Sequence, residues 1–488
     1  MDANDDVLAG RFARAYHQGV TDELPAPPEL ARFGVDGTGR PRHRAPARPG
    51  RRALAAAVPA AAFALRGAVI TPDAAWSDGY VIVHDGVIAA VQQAPPQGVD
   101  TILETEGVIL PGMIDLHGHP EFNVFAAWEP PQLFPNRYRW RESNAYHQLV
   151  RDPQNTLLTK VPPGTELRYA EIRALVGGVT AIQGASGASR AAGSEPLVRN
   201  VDLWIFGQHG ARAMIDLPSG ASSRDFPRLK KILADIATGT VTAFYLHLCE
   251  GQRGDARSAA EFTRFLDDGA ATPATVLIHA SALEADQLHQ LADAGSKLVW
   301  SPQSNLRLYG QTTLAGEALS AGMPVALGAD WLPSGSTSLL AEMKVARREL
   351  ARQGHPIAAA DLVTMVTATA ADIAGLGEHL GRLAPGRPAD LVVLERHHQD
   401  PYENVTQADP SWVDLVLIGG DVTYARTDWY AQLAADATSG EALIAWGKPM
   451  RLDTSFDAAG AQPGTPSTLA QLRTALTTAY PSVGPIYA

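Results

Sequence analysis

Short apolar runs that alternate with helix-like stretches occupy the middle of the chain, from about residue 113 to residue 382. The runs read VTAIQG, DLWIFG, TAFYLHL, TVLIHA, KLVWSP and PVALGAD. Strands that alternate with helices are typical of parallel β/α units, and this many of them indicate a closed ring. We therefore predict an α/β protein in which residues 113–382 form a (β/α)8 TIM-like barrel. One of the eight strands has no clear run, and we expect it between residues 205 and 240.

Both flanks of this segment have a different pattern. Short runs rich in β-branched residues alternate there with turn residues. The runs FALRGAVIT, YVIVHDGVIAAVQ and TILETEGVIL precede the barrel, and RLAPGRPADLVVLE and VDLVLIGGDVTYA follow it. This pattern predicts a small β-sandwich domain built from residues 63–112 and 383–436. Residues 1–62 form an N-terminal extension, and residues 437–488 form a C-terminal tail with a helix near 467–480 whose Leu469, Leu472 and Leu476 share one face.

Charge and composition exclude some classes of function. The 488 residues include 52 acidic and 40 basic side chains, a net charge of −12, which argues against nucleic-acid binding through the net field. No apolar run is long enough to span a membrane. Cys249 is the single cysteine, so no disulfide can form within the chain and we expect a cytoplasmic protein. Arg51 and Arg52 before an alanine-rich segment resemble an export signal, but fifty residues precede them, and we favour a surface helix there.

Two histidines stand two positions apart in VILPGMIDLHGHPEFN, at the end of an apolar run. Residues i and i+2 of a strand point to the same side, so His117 and His119 would project together at the mouth of the barrel. Paired imidazoles are good ligands for zinc or iron.

Further ligand-type side chains recur where other predicted strands end. His247 and Glu250 end TAFYLHLCEG, His279 ends TVLIHA, and Asp330 ends PVALGAD. The carboxyl ends of barrel strands are where barrel enzymes have their active sites. The four strands therefore predict one candidate site at this rim.

This ordered set resembles the amidohydrolase superfamily of metal-dependent hydrolases, in the branch of cytosine and guanine deaminases, triazine hydrolases and imidazolonepropionase. The resemblance runs from about residue 63 to residue 425. It depends on PGMIDLHGH, HLCEG, SPQSNLRL, LGAD and the closing GRLAPGRPADLVVL. Residues 1–62 and the long insertion after His119 lie outside it.

The resemblance implies a ligand set, namely His117, His119, His247 and Asp330, for one divalent metal ion, with zinc favoured and iron as the alternative. Binuclear relatives add a carbamylated lysine from the fourth strand, and no lysine occupies that register here. A single metal ion is therefore expected.

The resemblance also implies the roles of three residues around a water molecule activated by the metal. Asp330 would take the proton of that water, and His279 would orient the hydroxide or stabilise the oxyanion. Glu250 would protonate a ring nitrogen of the substrate and then the leaving amine. The expected reaction is the hydrolytic deamination of an amino-heterocycle or cyclic amidine, a small-molecule substrate, and the family implies a homo-oligomer.

Aromatic and arginine side chains crowd the insertion from residue 122 to residue 153, which we call the aromatic loop. In barrel geometry this loop overhangs the metal, so Trp128 and Arg137 are candidates for contact with a large, flat or anionic substrate. Packing against the N-terminal extension or a neighbouring subunit is the alternative. Asn305 in SPQSNLRL is a further candidate for a hydrogen bond to substrate.

Two other functions stay open at this point. An amidase that cleaves an amide of a larger, natural-product-like substrate would use the same residues, with Glu250 protonating the leaving amine. A metal-free scaffold or binding protein is the non-enzymatic alternative, although the expected metal ligands are all present.

Overall fold

The computed structural model describes residues 62–185, 196–454 and 466–486. The export-signal-like segment and almost all of the N-terminal extension lie outside the described residues. The described chain begins with four strands: β1 (Phe63–Ile70), β2 (Ala75–His84), β3 (Val87–Gln92) and β4 (Thr101–Pro111).

Eight parallel strands follow within the described ranges, and they form two sheets. The first sheet has the order β5-β6-β7 and the second the order β12-β11-β10-β9-β8. Their bounds are β5 (Met113–Asp115), β6 (Val179–Ile182), β7 (Arg199–Asn200), β8 (Ala211–Met214), β9 (Ala243–Leu248), β10 (Thr275–His279), β11 (Lys297–Trp300) and β12 (Val325–Leu327). A parallel bridge between Gly118 and Asp330 joins the ends of the first and last of these strands.

Both faces of the parallel strands are apolar because each is covered. Along β9, Ala243 and Tyr245 belong to an apolar cluster shared with Ile114, Ile278 and Val299 of neighbouring strands. The alternate residues of β9 join a second cluster that includes side chains of the surrounding helices. His247 continues the first of these two series, since strand side chains alternate between faces. It therefore stands above the apolar cluster that the strands share.

Helices lie between the parallel strands and after them. The aromatic loop contains α1 (Arg137–Arg141), α2 (Asn144–Tyr146), a π-helical turn (His147–Arg151) and the start of α3 (Asp152–Lys160). The others are α4 (Thr165–Val176), α5 (Phe226–Ala237), α6 (Ala256–Asp267), α7 (Ala285–Asp293), α8 (Pro302–Tyr309), α9 (Ala315–Ser320), α10 (Leu339–Arg352), α11 (Ala359–Thr364), α12 (Ala368–Ile373), α13 (Pro401–Gln407), α14 (Thr427–Leu433) and α15 (Leu469–Ala479); short 3-10 turns occupy Pro120–Phe122 and Pro410–Trp412. No helix among the described residues has both the length and the apolar character needed to cross a membrane.

The two flanks of the chain meet in one nine-stranded sheet. Its last five strands are β13 (Leu391–Leu394), β14 (Val413–Ile418), β15 (Asp421–Arg426), β16 (Glu441–Ala445) and β17 (Lys448–Leu452). The sheet has the order β16-β17-β15-β14-β13-β4-β1-β2-β3, and the antiparallel pair β4 and β13 joins the two segments. Because β16 and β17 belong to it, the sheet reaches beyond the predicted limit at residue 436.

The run DLWIFG, predicted to be a strand, is not one. Phe206 and Gly207 both have positive φ values, and Ile205 and Gln208 exchange two backbone hydrogen bonds across them. Two consecutive residues in this conformation form a tight hairpin turn. The strands of this region are instead β7, before the turn, and β8, after it, which is the strand that lacked a clear apolar run.

Candidate active site

The three histidines that were predicted to bind metal converge at the ends of β5 and β9. His117 and His119 follow β5, whereas His247 is the fifth residue of β9. The Nε2 atoms of His117 and His247 lie 3.1 Å apart. One ring nitrogen from each of the three histidines lies within 4.8 Å of the others, a spacing that could hold a metal ion.

Asp330 completes this set from the end of β12. Its Oδ1 atom lies 3.4 Å from Nε2 of His117 and 3.6 Å from Nε2 of His119. A second donor group, made of His117, His279 and Asp330, shares His117 with the first. The backbone of Asp330 and of His279 has positive φ, which is uncommon outside glycine and clusters at functional sites.

Burial determines the protonation of these ligands. It lowers the pKa of His117 and His247 well below the usual value and that of His119 to about 3, and it raises the pKa of Asp330 well above its usual range. Neutral imidazole is the form that binds a cation. Nδ1 of His247 is buried without a hydrogen-bond partner. Three uncharged imidazoles and the carboxyl group of Asp330, which gives up its proton when it binds a cation, are a donor set that fits zinc or iron.

A serine holds the ring of His117 from the other side. The Oγ atom of Ser301, at the start of α8, lies 2.8 Å from Nδ1 of His117. A hydrogen bond to the second nitrogen fixes the orientation of a ligating imidazole and leaves Nε2 to face the metal. No feature of the sequence marked Ser301 for this role.

Asn305 orients His279. The Nδ2 amide of Asn305 donates to Nδ1 of His279 over 2.9 Å, and Thr312 donates to the Oδ1 atom of Asn305 over 3.2 Å. Because Nδ1 of His279 accepts, the proton of this neutral ring is on Nε2. Asn305 is fully buried. The structure therefore places it behind His279, and contact with substrate stays a prediction for this residue.

Glu250 lies beside His279, with its Oε2 atom 3.7 Å from the Nε2 atom of that histidine. Burial acts to raise the pKa of Glu250, but the pKa lies below its usual value because His279, Arg137 and Arg141 act in the opposite direction, as does a hydrogen bond from Tyr309. The Tyr309 hydroxyl donates to Oε1 over 2.5 Å. Sequence reasoning missed Tyr309, although its spacing of four from Asn305 on a helix would have placed both on one face.

Arg137 and Trp128, the two predicted substrate contacts in the aromatic loop, lie among protein groups. Arg137 is fully buried, and its guanidinium donates to the carbonyl oxygen of His247 over 3.0 Å and to Glu261 over 2.6 Å. Trp128 is also buried and has Phe134 and Tyr146 as its aromatic neighbours. Contact with substrate stays a prediction for both residues.

The aromatic loop packs against the residue after Asp330. The ring centroid of Trp331 lies 5.4 Å from that of Trp140, 6.0 Å from that of Tyr146 and 6.3 Å from that of His119. Three lysines near the predicted strands lie on helices: Lys160 at the end of α3, and Lys230 and Lys231 on α5.

Comparisons with known proteins show what this chain is similar to. Residues 229–423 match the model of the amidohydrolase family. The 5-methylthioadenosine/S-adenosylhomocysteine deaminase of Teredinibacter turnerae is 24% identical over 349 residues, which cover 60% of this chain and 73% of the relative. The 8-oxoguanine deaminase of Pseudomonas aeruginosa is 26% identical over 255 residues, 48% of this chain and 57% of the relative.

Among solved structures, the zinc complex of the atrazine chlorohydrolase of Arthrobacter aurescens TC1 is similar in fold. It superposes with a TM-score of 0.58 at 20% identity and covers 74% of this chain and 94% of its own. This likeness supports the predicted α/β fold of the TIM-barrel type. The amidohydrolase family domain at residues 229–423, together with the deaminase and hydrolase relatives, supports an enzyme that acts on carbon–nitrogen bonds.

Proposed function

We propose that this enzyme deaminates an amino-heterocycle or a cyclic amidine, a small molecule, by hydrolysis. The observation that supports the proposal is the placement of the Glu250 and His279 pair next to four converging metal-ligand groups. The deaminase activities of the relatives named above agree with it. The proposal takes the eight parallel strands as a closed barrel, the nine-stranded sheet as part of the small sandwich domain, and the cytoplasm as the location.

His117, His119, His247 and Asp330 would hold one divalent cation, zinc in the first instance and iron as the alternative. When bound, such a cation supplies Lewis acidity, which lowers the pKa of water so that hydroxide is accessible near neutral pH. In the reaction, a carbon–oxygen bond forms at the ring carbon that bears the amino group, the carbon–nitrogen bond breaks, and ammonia leaves.

The residues of the chain move the protons of this reaction. Asp330, whose pKa burial raises, can take a proton from the attacking water. His279 presents its Nε2 proton to the oxygen that becomes negative in the tetrahedral intermediate. Glu250 has one oxygen occupied by Tyr309, so Oε2 is the atom that transfers protons to the substrate. Both protons come from the attacking water: the first passes through Oε2 to the ring nitrogen, and the second, released as the new hydroxyl becomes a carbonyl, passes to the leaving amine.

Elemental analysis followed by an ammonia-release screen over amino-heterocycles tests the proposal. We expect about one zinc or iron per chain, lost in His117→Ala and kept in Glu250→Gln. The exposed His84 provides a control, since His84→Ala should retain the metal. Ammonia release from at least one compound, abolished in His117→Ala and strongly reduced in Glu250→Gln, is the expected result.

Other outcomes lead to different functions. Hydrolysis of amides with release of an amine and no ammonia would replace the proposal by the amidase alternative. Two metal ions per chain would indicate a ligand outside the proposed set. If the purified protein binds no metal when zinc or iron is supplied, the function that remains is that of a metal-free scaffold or binding protein.

A further inference from the structure

A series of hydrogen bonds connects the aromatic loop to Glu250. The indole Nε1 of Trp140 donates to the hydroxyl oxygen of Tyr309 over 2.8 Å. That hydroxyl in turn donates to the Oε1 atom of Glu250 over 2.5 Å. Because the indole can only donate, the hydroxyl proton of Tyr309 is left to point at the carboxylate.

The backbone of the same loop pairs with the residues around Glu250. The amide of Arg137 donates to the carbonyl oxygen of Glu250 over 3.0 Å, and the amide of Gln252 donates to that of Pro135 over 2.7 Å. Asn136 and Gly251 form an antiparallel bridge between these two hydrogen bonds. The aromatic loop therefore contacts Glu250 through both its main chain and its side chain.

All three side chains of the series are buried: Trp140 is 7% exposed, Tyr309 1% and Glu250 4%. Hydrogen bonds to a charged acceptor are among the stronger ones, and removal from water strengthens them further. Burial raises the pKa of Tyr309 well above its usual value, and the charge of Glu250 acts in the same direction. Tyr309 therefore keeps its proton and is a permanent donor.

We propose that Tyr309 is a positioning residue, which fixes the carboxylate of Glu250 for proton transfer, and that Trp140 holds Tyr309 in this orientation. The inference rests on the proposed function, because Glu250 has its proton-transfer role only there. Because Trp140 belongs to the aromatic loop, this loop would help to position Glu250. With Oε1 held, Oε2 is directed toward His279 and the substrate.

Tyr309→Phe removes the hydroxyl and leaves the ring. We expect kcat for the best substrate of the ammonia screen to fall roughly tenfold to a hundredfold, with KM changed less than about twofold. Tyr169→Phe is the matched control, since Tyr169 is also buried and donates one hydrogen bond of 2.8 Å to a backbone carbonyl, that of Gly484. The control should keep the kcat of the unchanged enzyme. A kcat loss in Tyr309→Phe no larger than in Tyr169→Phe would overturn the inference.

A double-mutant cycle separates positioning from general destabilisation. In a Glu250→Gln background, Tyr309→Phe should reduce the residual kcat by less than about twofold, because the group that Tyr309 positions has lost its function. An equal loss in both backgrounds would contradict the inference. Trp140→Phe should lower kcat in the same direction as Tyr309→Phe but by a smaller factor.

The contact between Tyr309 and Glu250 can be measured without catalytic turnover. Its test is therefore independent of the test of the proposed function. In protein labelled with 3-fluorotyrosine, the fluorine resonance missing from Tyr309→Phe identifies position 309. Glu250→Gln should shift that resonance and leave that of Tyr169 in place. An unmoved resonance overturns the inference even in an active enzyme, whereas a shift in protein that releases no ammonia from any compound rejects the deaminase proposal alone.

Discussion

The backbone amide of Asp330 donates a hydrogen bond of 2.8 Å to the carbonyl oxygen of His117. Two candidate metal ligands from the first and last parallel strands are thereby held together through the main chain. Gly118, between the two histidines, forms a bridge with Asp330 at the same place. The distance between the two ligands thus depends on strand register as well as on rotamers.

Gly328→Ala should disturb this register. A Cβ at position 328 would stand 2.4 Å from the Cβ of His117 and 2.8 Å from its backbone nitrogen, so one strand end must move. We expect a loss of about 1–3 kcal/mol in the free energy of unfolding and reduced metal content. Gly177→Ala is the control, since its new Cβ would meet no atom closer than 3.4 Å. Equal metal content in both variants would contradict this account.

Ser301→Ala should weaken metal binding while leaving the fold intact. It removes the hydroxyl that lies 2.8 Å from Nδ1 of His117, and the loss of such an outer partner typically costs about 10–100-fold in metal affinity. Competition with a chelator measures this affinity. Ser296→Ala, at the opposite end of β11, removes a buried hydroxyl that donates to the carbonyl oxygen of Thr272 over 3.3 Å, and this variant should bind metal as the unchanged protein does.

Arg137→Met should destabilise the protein strongly. The buried guanidinium pairs with Glu261 and supports the carbonyl of His247, and removal of one partner from a buried ion pair costs about 3–5 kcal/mol. Urea unfolding of the metal-free protein measures the loss. Arg139→Met, two residues away on a side chain that is 66% exposed, should change the free energy of unfolding little. Comparable losses in the two variants would show that the pair is not important for stability.

Glu342→Gln should flatten the pH dependence of stability. Burial raises the pKa of Glu342 from 4.5 to about 8, so the folded state binds its proton more tightly than the unfolded state does. Its contribution to stability is therefore complete below about pH 4.5 and is lost as the pH rises through about 8. Between about pH 6 and about pH 9, the free energy of unfolding measured with urea should fall less for the variant than for the unchanged protein. An unchanged decline would mean that Glu342 does not titrate in this range.

The amino-acid sequence by itself determined where several strands end and which ligand-type side chains stand at those ends. His117, His119, His247, His279 and Asp330 each stand at or just after the end of a short apolar run, and strand geometry places such residues at one rim. These features are local in the sequence, because alternation and spacing depend only on neighbouring residues. The run DLWIFG shows the limit of that reasoning, since a turn at Phe206 and Gly207 was hidden in an apolar segment.

Only the tertiary structure decided which side chains meet. Arg137 could have faced a substrate from a loop, but packing buried it against Glu261 and the strand of His247. Tyr309 is 59 residues from Glu250 in the chain, yet their side chains form one of the shortest hydrogen bonds of the site. Contacts of this kind depend on how separate strands and loops pack, and no periodicity within one segment encodes them.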